Sequence, residues 1–167
     1  IMIQINNLSK SFGEKKVLNN VNLLIEDSKV FGLVGINGAG KSTLLRLLSG
    51  IYQADNGSIL IDEEEVFENE KVKKNIFLLP DDPYYDHNTS PKTLINLYKV
   101  FYNLDEDVYY KYLNLFKLPK DKSMKNFSKG MKRQVFITLA LAIGPKYLFL
   151  DEAFDGLDPL ARLTFKR

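Results

Sequence analysis

Gly35-Ile36-Asn37-Gly38-Ala39-Gly40-Lys41-Ser42 is the most informative stretch of this sequence, because it fits the phosphate-binding pattern GxxxxGK[ST]. An apolar run, residues 30–34, precedes it, and a leucine-rich segment, residues 44–48, follows it. A strand, a glycine loop and a helix in this order are the context in which the pattern forms a P-loop. The alternative is a glycine turn that only joins a strand to a helix.

The glycines of this stretch allow positive φ angles and let backbone N–H groups approach a triphosphate without a Cβ in the way. The same groups would open a helix, whose N-terminus favours anions. Lys41 is expected to reach the β- and γ-phosphates, and the Ser42 hydroxyl is expected to coordinate Mg²⁺. The predicted nucleotide-binding residues of the loop are Gly35, Ile36, Asn37, Gly38, Ala39, Gly40, Lys41, Ser42 and Thr43.

Composition is typical of a soluble globular protein. With 167 residues and 45% hydrophobic content, the chain can bury a core but is short for two independent domains. The 23 basic and 21 acidic residues nearly cancel, so no strong field favours nucleic acid as a partner. The absence of cysteine excludes disulfides and thiolate metal sites, and the single histidine, His87, cannot form a metal cluster alone. The longest apolar run, residues 135–143, is too short for a membrane span of about 20 residues, so we expect a cytoplasmic protein.

Alternating apolar residues predict a small antiparallel β layer at the start of the chain. Isoleucines at positions 3 and 5 alternate with polar residues, and a second alternating run, residues 17–25, follows the turn-like Gly13-Glu14. Two further short strands are predicted at residues 59–61 and 75–79. Between them, the acidic residues 62–70 are expected to be exposed.

Three helices are predicted in the second half of the chain. The first starts at Ser90-Pro91, and its apolar face is assigned to Leu94, Leu97, Tyr98 and Phe101. The second follows Asp105, and its apolar face is assigned to Val108, Tyr112, Leu113 and Phe116. The third runs from about Lys129 to Ile143 and stops at Gly144-Pro145. The first two form a helical insert.

A second group of site residues follows an apolar strand, residues 147–150. If this strand is buried and parallel, it delivers Asp151 and Glu152 at the carboxyl edge of the sheet, where ligands bind. Asp151 is then the natural Mg²⁺ partner, directly or through water, and Glu152 could orient the attacking water and accept its proton. The alternative is a strand that ends in solvated acids.

Two segments beside this strand carry a family resemblance. Phe127-Ser128-Lys129-Gly130-Met131-Lys132-Arg133-Gln134 stands just before it, and Ala153-Phe154-Asp155-Gly156-Leu157-Asp158-Pro159 stands just after it. With the P-loop, the helical insert and the Asp-Glu strand, they resemble the ATP-binding subunit of ABC transporters over essentially the whole chain. The Ser-x-Gly signature that opens a helix discriminates best, because many NTPases share the P-loop and the Asp-Glu strand.

The resemblance implies an α/β fold of the P-loop NTPase class, an ABC-type ATPase core with an N-terminal antiparallel β layer and a helical subdomain. It implies one domain, in which residues 1–79 and 144–167 form the β layer and P-loop core, and residues 80–143 form the helical subdomain. It also implies ATP and Mg²⁺ as cofactors and hydrolysis of ATP to ADP and phosphate.

In this family two subunits meet head to tail, and each signature caps the ATP held by the other subunit's P-loop. Ser128 could serve as helix N-cap and phosphate ligand, and Gly130 allows close backbone approach. By the same resemblance Phe12 matches the aromatic residue that stacks on adenine, although packing within the hairpin is an equal alternative. Asp158 matches a loop aspartate that couples the two sites, or it belongs to an ordinary Asp-Pro turn.

The basic residues of the signature segment leave a simpler interpretation open. Lys129 stands where the family has a small residue, whereas Lys132 and Arg133 are expected, with most of this basic run, to form a solvated helix face.

Two departures from the family pattern concern catalysis. The family usually has glutamine after the strand at residues 75–79, whereas here Pro80 is followed by Asp81. Asp81 could bind Mg²⁺ through water, but its charge beside a triphosphate should cost more than a neutral amide, so Asp81→Gln is expected to retain or raise activity. Ala153 in place of the usual proline is expected to have a mild effect.

The family's switch histidine would lie beyond Arg167, and His87 cannot replace it, since it is expected to be an exposed loop residue. We therefore expect a C-terminally incomplete chain that binds ATP better than it hydrolyses it.

The resemblance implies a motor subunit of a transporter, peripheral to the inner face of the cell membrane. Its expected partners are ATP, a second ATPase subunit in a homo- or heterodimer, and a separate transmembrane permease, with no nucleic acid. The signature and the Gly-Leu-Asp segment look most like the bacterial exporter branch. Two alternatives stay open: a non-transport ABC ATPase of translation or DNA repair, and a binding-only regulatory cassette.

Overall fold

The computed structural model describes residues 2–26 and 40–151. The chain divides into two compact units, residues 1–78 and 79–167.

The first unit is built around an antiparallel sheet. Its strands and helices are β1 (Met2–Phe12), β2 (Lys15–Glu26), α1 (Lys41–Leu48), β3 (Asn56–Ile61), β4 (Glu64–Glu65) and α2 (Glu70–Lys73). The next strand, β5 (Ile76–Leu79), begins in this unit and ends at the first residue of the second unit. The strand order is β2-β1-β3-β4, and every neighbouring pair is antiparallel. The predicted N-terminal β layer is therefore confirmed.

Side chains that alternate along β1 give this sheet a buried face. Ile3 lies opposite Ile25 of β2 and Ile61 of β3, and Ile5 lies opposite Leu23 and Ile59. Ile3, Ile5, Ile59 and Ile61 are all buried. Because successive side chains point to opposite faces of a strand, this period of two places them on one apolar face.

The acidic stretch at residues 62–70 is more structured than predicted. It contains β4, which pairs with β3, and Val66, which is buried. Asn69 then caps α2 by accepting the Val72 N–H. The acidic composition predicted only an exposed segment, because it does not show that acidic side chains on an edge strand can remain partly exposed while a neighbouring valine packs into the core.

The second unit is mainly helical. Its elements are α3 (Pro91–Tyr98), α4 (Glu106–Leu115), a 3₁₀ turn (Met124–Asn126), α5 (Lys129–Ile143) and β6 (Tyr147–Leu150). Side chains cap the N-terminus of each helix: Ser90 caps α3 in a capping box with Thr93, Asp105 caps α4, and Ser128 caps α5. The three helix starts predicted from these residues are confirmed.

The apolar faces of α3 and α4 differ from the prediction. In α3 the buried residues are Pro91, Leu94 and Ile95, while Leu97 is exposed, as is Phe101 beyond the end of the helix. In α4 the buried residues are Tyr109 and Leu113. Several apolar residues surround each of these short helices, so periodicity alone does not select the face that packs. By contrast, α5 packs against α4 and buries ten of its fifteen residues.

Candidate functional site

The end of the P-loop leads directly into α1. Gly40 has a φ of +90°, and a Cβ at this position would lie 3.0 Å from Leu18 Cδ2 and 3.1 Å from the Val17 carbonyl oxygen. A side chain would be strained by the backbone conformation and crowded by β2, so this position requires glycine. Lys41, Ser42 and Thr43 form the first turn of α1, which carries no acidic residue. Gly35, Ile36, Asn37, Gly38 and Ala39 lie outside the described residues.

The helix that follows is anchored by its leucines. Leu44, Leu47 and Leu48 are buried, and their spacing puts them on one face of α1. The first-turn residues Lys41, Ser42 and Thr43 are less buried than these leucines. Since the first N–H groups of a helix lack intrahelical acceptors, this end of α1 has the chemistry of an anion site.

Phe12 ends β1 as a partly exposed aromatic residue. Its side chain is 44% exposed, and its ring meets that of Tyr52 in a T-shaped arrangement with centroids 5.5 Å apart. Lys10 Nζ lies 5.4 Å from the Phe12 ring centroid, and the Arg46 guanidinium of α1 lies 5.8 Å from that of Tyr52. Phe12 therefore packs on Tyr52 and still offers surface to a ligand. Tyr52 was missed by sequence reasoning, because nothing local distinguishes it from other surface tyrosines.

Asp55 fixes the end of β1 near this aromatic pair. Its carboxylate accepts the Ser11 N–H at 2.7 Å and the Lys10 ammonium at 3.1 Å. The hydrogen bond from Ser11 and the Lys10 charge lower the pKa of Asp55. Asp55 therefore remains ionised and holds the backbone just before Phe12.

The signature segment begins α5 as predicted. The Ser128 hydroxyl accepts the Met131 N–H at 3.1 Å, and Lys132 N–H donates to the Ser128 carbonyl oxygen at 3.0 Å. Ser128 and Lys129 are exposed, and Gly130 is half-buried. The N-cap role of Ser128 is confirmed, and its exposure leaves the helix end accessible.

Arg133 is not part of a solvated helix face. It is 2% exposed, donates from Nη1 to the Pro80 carbonyl oxygen at 2.7 Å, and forms an ion pair from Nη2 with the Asp81 carboxylate. The structure therefore corrects the interpretation of Arg133 as a surface cation. Its partners lie 52 and 53 residues earlier in the chain, where no local pattern connects them to α5.

A cavity of about 310 Å³ lies beside this ion pair. Its lining carries both signs of charge: Asp81, Asp82, Pro83, Tyr85, Lys129, Lys132 and Arg133. The Tyr85 ring lies 6.1 Å from that of Phe136, and Lys132 Nζ lies 5.8 Å from the Tyr85 centroid. Asp81 is thus brought together with the start of α5.

Asp151 directly follows β6 and is buried. Its backbone N–H donates to the Leu79 carbonyl oxygen at 2.9 Å, which ties the end of β6 to the end of β5. The strand is less buried than predicted, since Leu148 is 40% exposed and only Tyr147 is buried. Glu152, Ala153 and Asp158 lie outside the described residues.

The tyrosines of the helical region occupy different environments. Tyr84 is 89% exposed, whereas Tyr109 is fully buried and donates from its hydroxyl to the Pro91 carbonyl oxygen at 2.7 Å. Burial raises the pKa of Tyr109, with a smaller contribution from Tyr110. His87 is exposed, and its carbonyl oxygen accepts the Ser123 hydroxyl. No helix in the described parts of the chain is long and apolar enough to span a membrane.

Comparisons with known proteins agree with this arrangement. A family model described as ABC transporter matches residues 18–155. The chain is 37% identical over 162 residues to the ABC transporter ATP-binding protein YtrB of Bacillus subtilis, covering 96% of this chain and 56% of YtrB. It is 39% identical over 172 residues to the methionine import ATP-binding protein MetN of Clostridium tetani, covering 95% of this chain and 53% of MetN. The chain therefore spans little more than half the length of these relatives.

A solved structure shares the fold. The ATP-binding subunit of an ABC transporter superposes with a TM-score of 0.85 at 28% sequence identity, covering 98% of this chain and 71% of that one. The predicted α/β ABC ATPase fold is therefore confirmed.

Proposed function

Because the chain belongs to the ABC transporter family of ATP-binding proteins, we propose that it is the ATP-binding and ATP-hydrolysing motor subunit of a transporter. The observation that carries this proposal is the start of α1. There Gly40 occupies a position that excludes a side chain, and Lys41 and Ser42 follow in the first turn. The N–H groups of that turn and the Lys41 ammonium suit the β- and γ-phosphates of ATP.

Ser42 and Asp151 would hold Mg²⁺. Hydroxyl and carboxylate oxygens are hard ligands of the kind that Mg²⁺ prefers, and Asp151 is kept in place by the bond from its N–H to Leu79. These residues therefore fit the metal that ATPases of this class use. When bound, Mg²⁺ neutralises charge on the β- and γ-phosphates.

Glu152 is proposed to orient the attacking water and accept its proton. This role rests on its place directly after Asp151 in the sequence. Lys41 is proposed to stabilise the charge that develops on the transferred phosphoryl group.

The signature helix is proposed to act on the ATP of a second subunit. The exposure of Ser128 and its position at the N-terminus of a 15-residue helix support a contact with phosphate, and Gly130 leaves room for close approach. Phe12 is proposed to contact adenine, which its partial exposure and its support by Tyr52 favour. Two ATP molecules would then join two subunits head to tail, and hydrolysis would release them.

The membrane part of the transporter is proposed to be a separate permease, which would place this chain at the inner face of the membrane. We also propose export, because Lys129-Gly130-Met131-Lys132 and Gly156-Leu157-Asp158-Pro159 look like the exporter branch. The name of the MetN relative shows that proteins similar to this chain also serve import. Uptake and efflux measured in vesicles with the permease would decide the direction.

The experiment that tests the motor function uses the full-length protein and its Glu152→Gln variant. We expect the wild type to hydrolyse Mg-ATP. We expect Glu152→Gln to bind ATP with similar affinity, to lose turnover, and to form a dimer in size-exclusion chromatography only with ATP. ATP binding without turnover by the full-length wild type would favour the binding-only cassette. Stimulation of turnover by ribosomes or DNA, and not by a permease, would favour the non-transport ATPase.

A further inference from the structure

A buried arginine joins the signature helix to the segment that follows β5. Arg133 of α5 donates to the Pro80 carbonyl oxygen and forms an ion pair with the Asp81 carboxylate. Tyr85 adds to the same connection, because its ring contacts Phe136 of α5 and lies under the Lys132 ammonium. The segment and the helix are thus linked by a charged pair and an aromatic contact.

The two members of the ion pair differ in their access to water. The Arg133 side chain is 2% exposed, whereas the Asp81 side chain is 45% exposed. A buried guanidinium is costly unless a counter-charge and hydrogen bonds compensate it, while a half-exposed carboxylate can still be hydrated. Losing its partner should therefore cost more free energy for the buried Arg133 than for the half-exposed Asp81.

The pair lies between two proposed parts of the ATPase site. Arg133 is five residues after Ser128, or about 7.5 Å along the helix axis at 1.5 Å per residue. On the other side, Pro80 directly follows Leu79, whose carbonyl oxygen accepts the Asp151 N–H. Hydrogen bonds therefore connect α5, which begins at the signature, through Pro80 and Leu79 to Asp151, which is proposed to hold Mg²⁺.

We propose that Arg133 is a positioning residue, which holds Pro80-Asp81 against α5 so that the signature helix and the segment after β5 stay connected during ATP turnover. This inference rests on the proposed function. The charge of Asp81 then serves Arg133, in addition to any contact with bound metal. On this proposal Asp81→Gln lowers activity, contrary to the expectation from the sequence, because the substitution removes the carboxylate that neutralises a buried arginine.

The first test is a double-mutant cycle in urea unfolding. The variants are Asp81→Asn, Arg133→Met and their combination, with Asp82→Asn as a matched control, since Asp82 is an exposed neighbouring carboxylate on the same segment. We expect Asp81→Asn to lower the unfolding midpoint and Asp82→Asn to leave it unchanged. Because an apolar methionine side chain in place of Arg133 needs no counter-charge, we expect the double variant to unfold no earlier than Arg133→Met alone. Additive shifts would overturn the proposal.

The second test separates positioning from simple stability. In the full-length protein, at a temperature where every variant is folded, we expect Asp81→Asn to lower kcat about tenfold and to change the KM for ATP less than about twofold. Arg133→Lys should recover part of the loss in Arg133→Met, because it restores the charge. Unchanged kcat in Asp81→Asn, or an equal loss in Asp82→Asn, would overturn the positioning role.

The two tests also separate this inference from the proposed function. Absence of ATP turnover in the full-length wild type would refute the motor function and the positioning role that depends on it. The unfolding cycle would still show whether Arg133 and Asp81 join the two segments.

Discussion

Replacement of Ser128 tests the cap of α5 and the proposed contact with ATP at the same time. The Ser128 hydroxyl accepts the Met131 N–H at 3.1 Å, and the first turn of α5 contains no acidic residue. Ser128→Ala removes this acceptor and should lower the free energy of unfolding by about 1 kcal/mol. For a chain of this size, that loss corresponds to a decrease in Tm of about 2 to 4 °C.

Ser128→Asp separates the two roles. A carboxylate caps a helix about as well as a serine hydroxyl and interacts favourably with the helix dipole, so the free energy of unfolding should stay within about 0.5 kcal/mol of the wild type. If Ser128 faces the γ-phosphate of ATP on a second subunit, the same carboxylate repels it. One unfavourable charge pair at 4 Å is worth about 4 kcal/mol near a protein surface, enough to abolish ATP-dependent association.

The assay is light scattering with Mg-ATP in the Glu152→Gln background, combined with thermal unfolding of each variant. We expect dimers for Glu152→Gln alone and monomers once Ser128→Asp is added. Ser90→Ala is the control, because Ser90 caps α3 by accepting the Thr93 N–H at 3.2 Å and should affect stability alone. Full ATP-dependent dimerisation with Ser128→Asp would refute the phosphate contact. An unchanged Tm in Ser128→Ala would show that the Ser128 cap does not stabilise the protein.

Three other predictions concern stability and nucleotide affinity. Burial raises the pKa of Tyr109, so above a pH of about 10 the tyrosine ionises in the unfolded chain but not in the folded one, and the free energy of unfolding falls by about 1.4 kcal/mol per pH unit. Tyr109→Phe should reduce this alkaline loss of stability in urea titrations. An unchanged slope would contradict the prediction. Gly57→Ala should lower the free energy of unfolding by about 1 to 3 kcal/mol more than Gly13→Ala in denaturant titrations. Both positions have positive φ, but only the new methyl group at position 57 would clash with the Asn6 carbonyl oxygen. Equal losses would contradict this packing. Lys41→Ala should weaken ATP binding about 10- to 100-fold in calorimetry, and wild-type affinity would exclude Lys41 as a phosphate ligand.

Much of the fold followed from short-range patterns. The caps of α3, α4 and α5 were predictable because a side chain at the N-cap meets an N–H two or three residues later, whatever the rest of the chain does. The hairpin of β1 and β2 was predictable because alternation along the chain directly reflects the two faces of a strand. The acidic stretch at residues 62–70 shows where such patterns fail, since its composition did not predict that β4 pairs with β3.

The candidate site divides in the same way. The P-loop motif, Asp151 and the signature serine were predicted from motifs, because each stands at the start of a helix or at the end of a strand. The environment of Asp81 could not be predicted, since its partner Arg133 is 52 residues away and the neighbours of Arg133, Lys129 and Lys132, suggest a solvated basic face. Tyr52 was missed for the same reason, because its contact with Phe12 joins the segment after α1 to the end of β1, which lies 40 residues earlier in the chain.

By itself, the sequence determined that α1 begins at the GxxxxGK[ST] motif and that Ser128 caps the signature helix, because both depend on interactions within a few residues of the chain. Only the tertiary structure decided which charges are buried and which aromatic rings meet. Burial depends on the packing of elements that are distant in sequence, and it makes the charge of Asp81 a partner of Arg133. The same basic helix could have met solvent on that face, and only its contact with the segment after β5 excludes this.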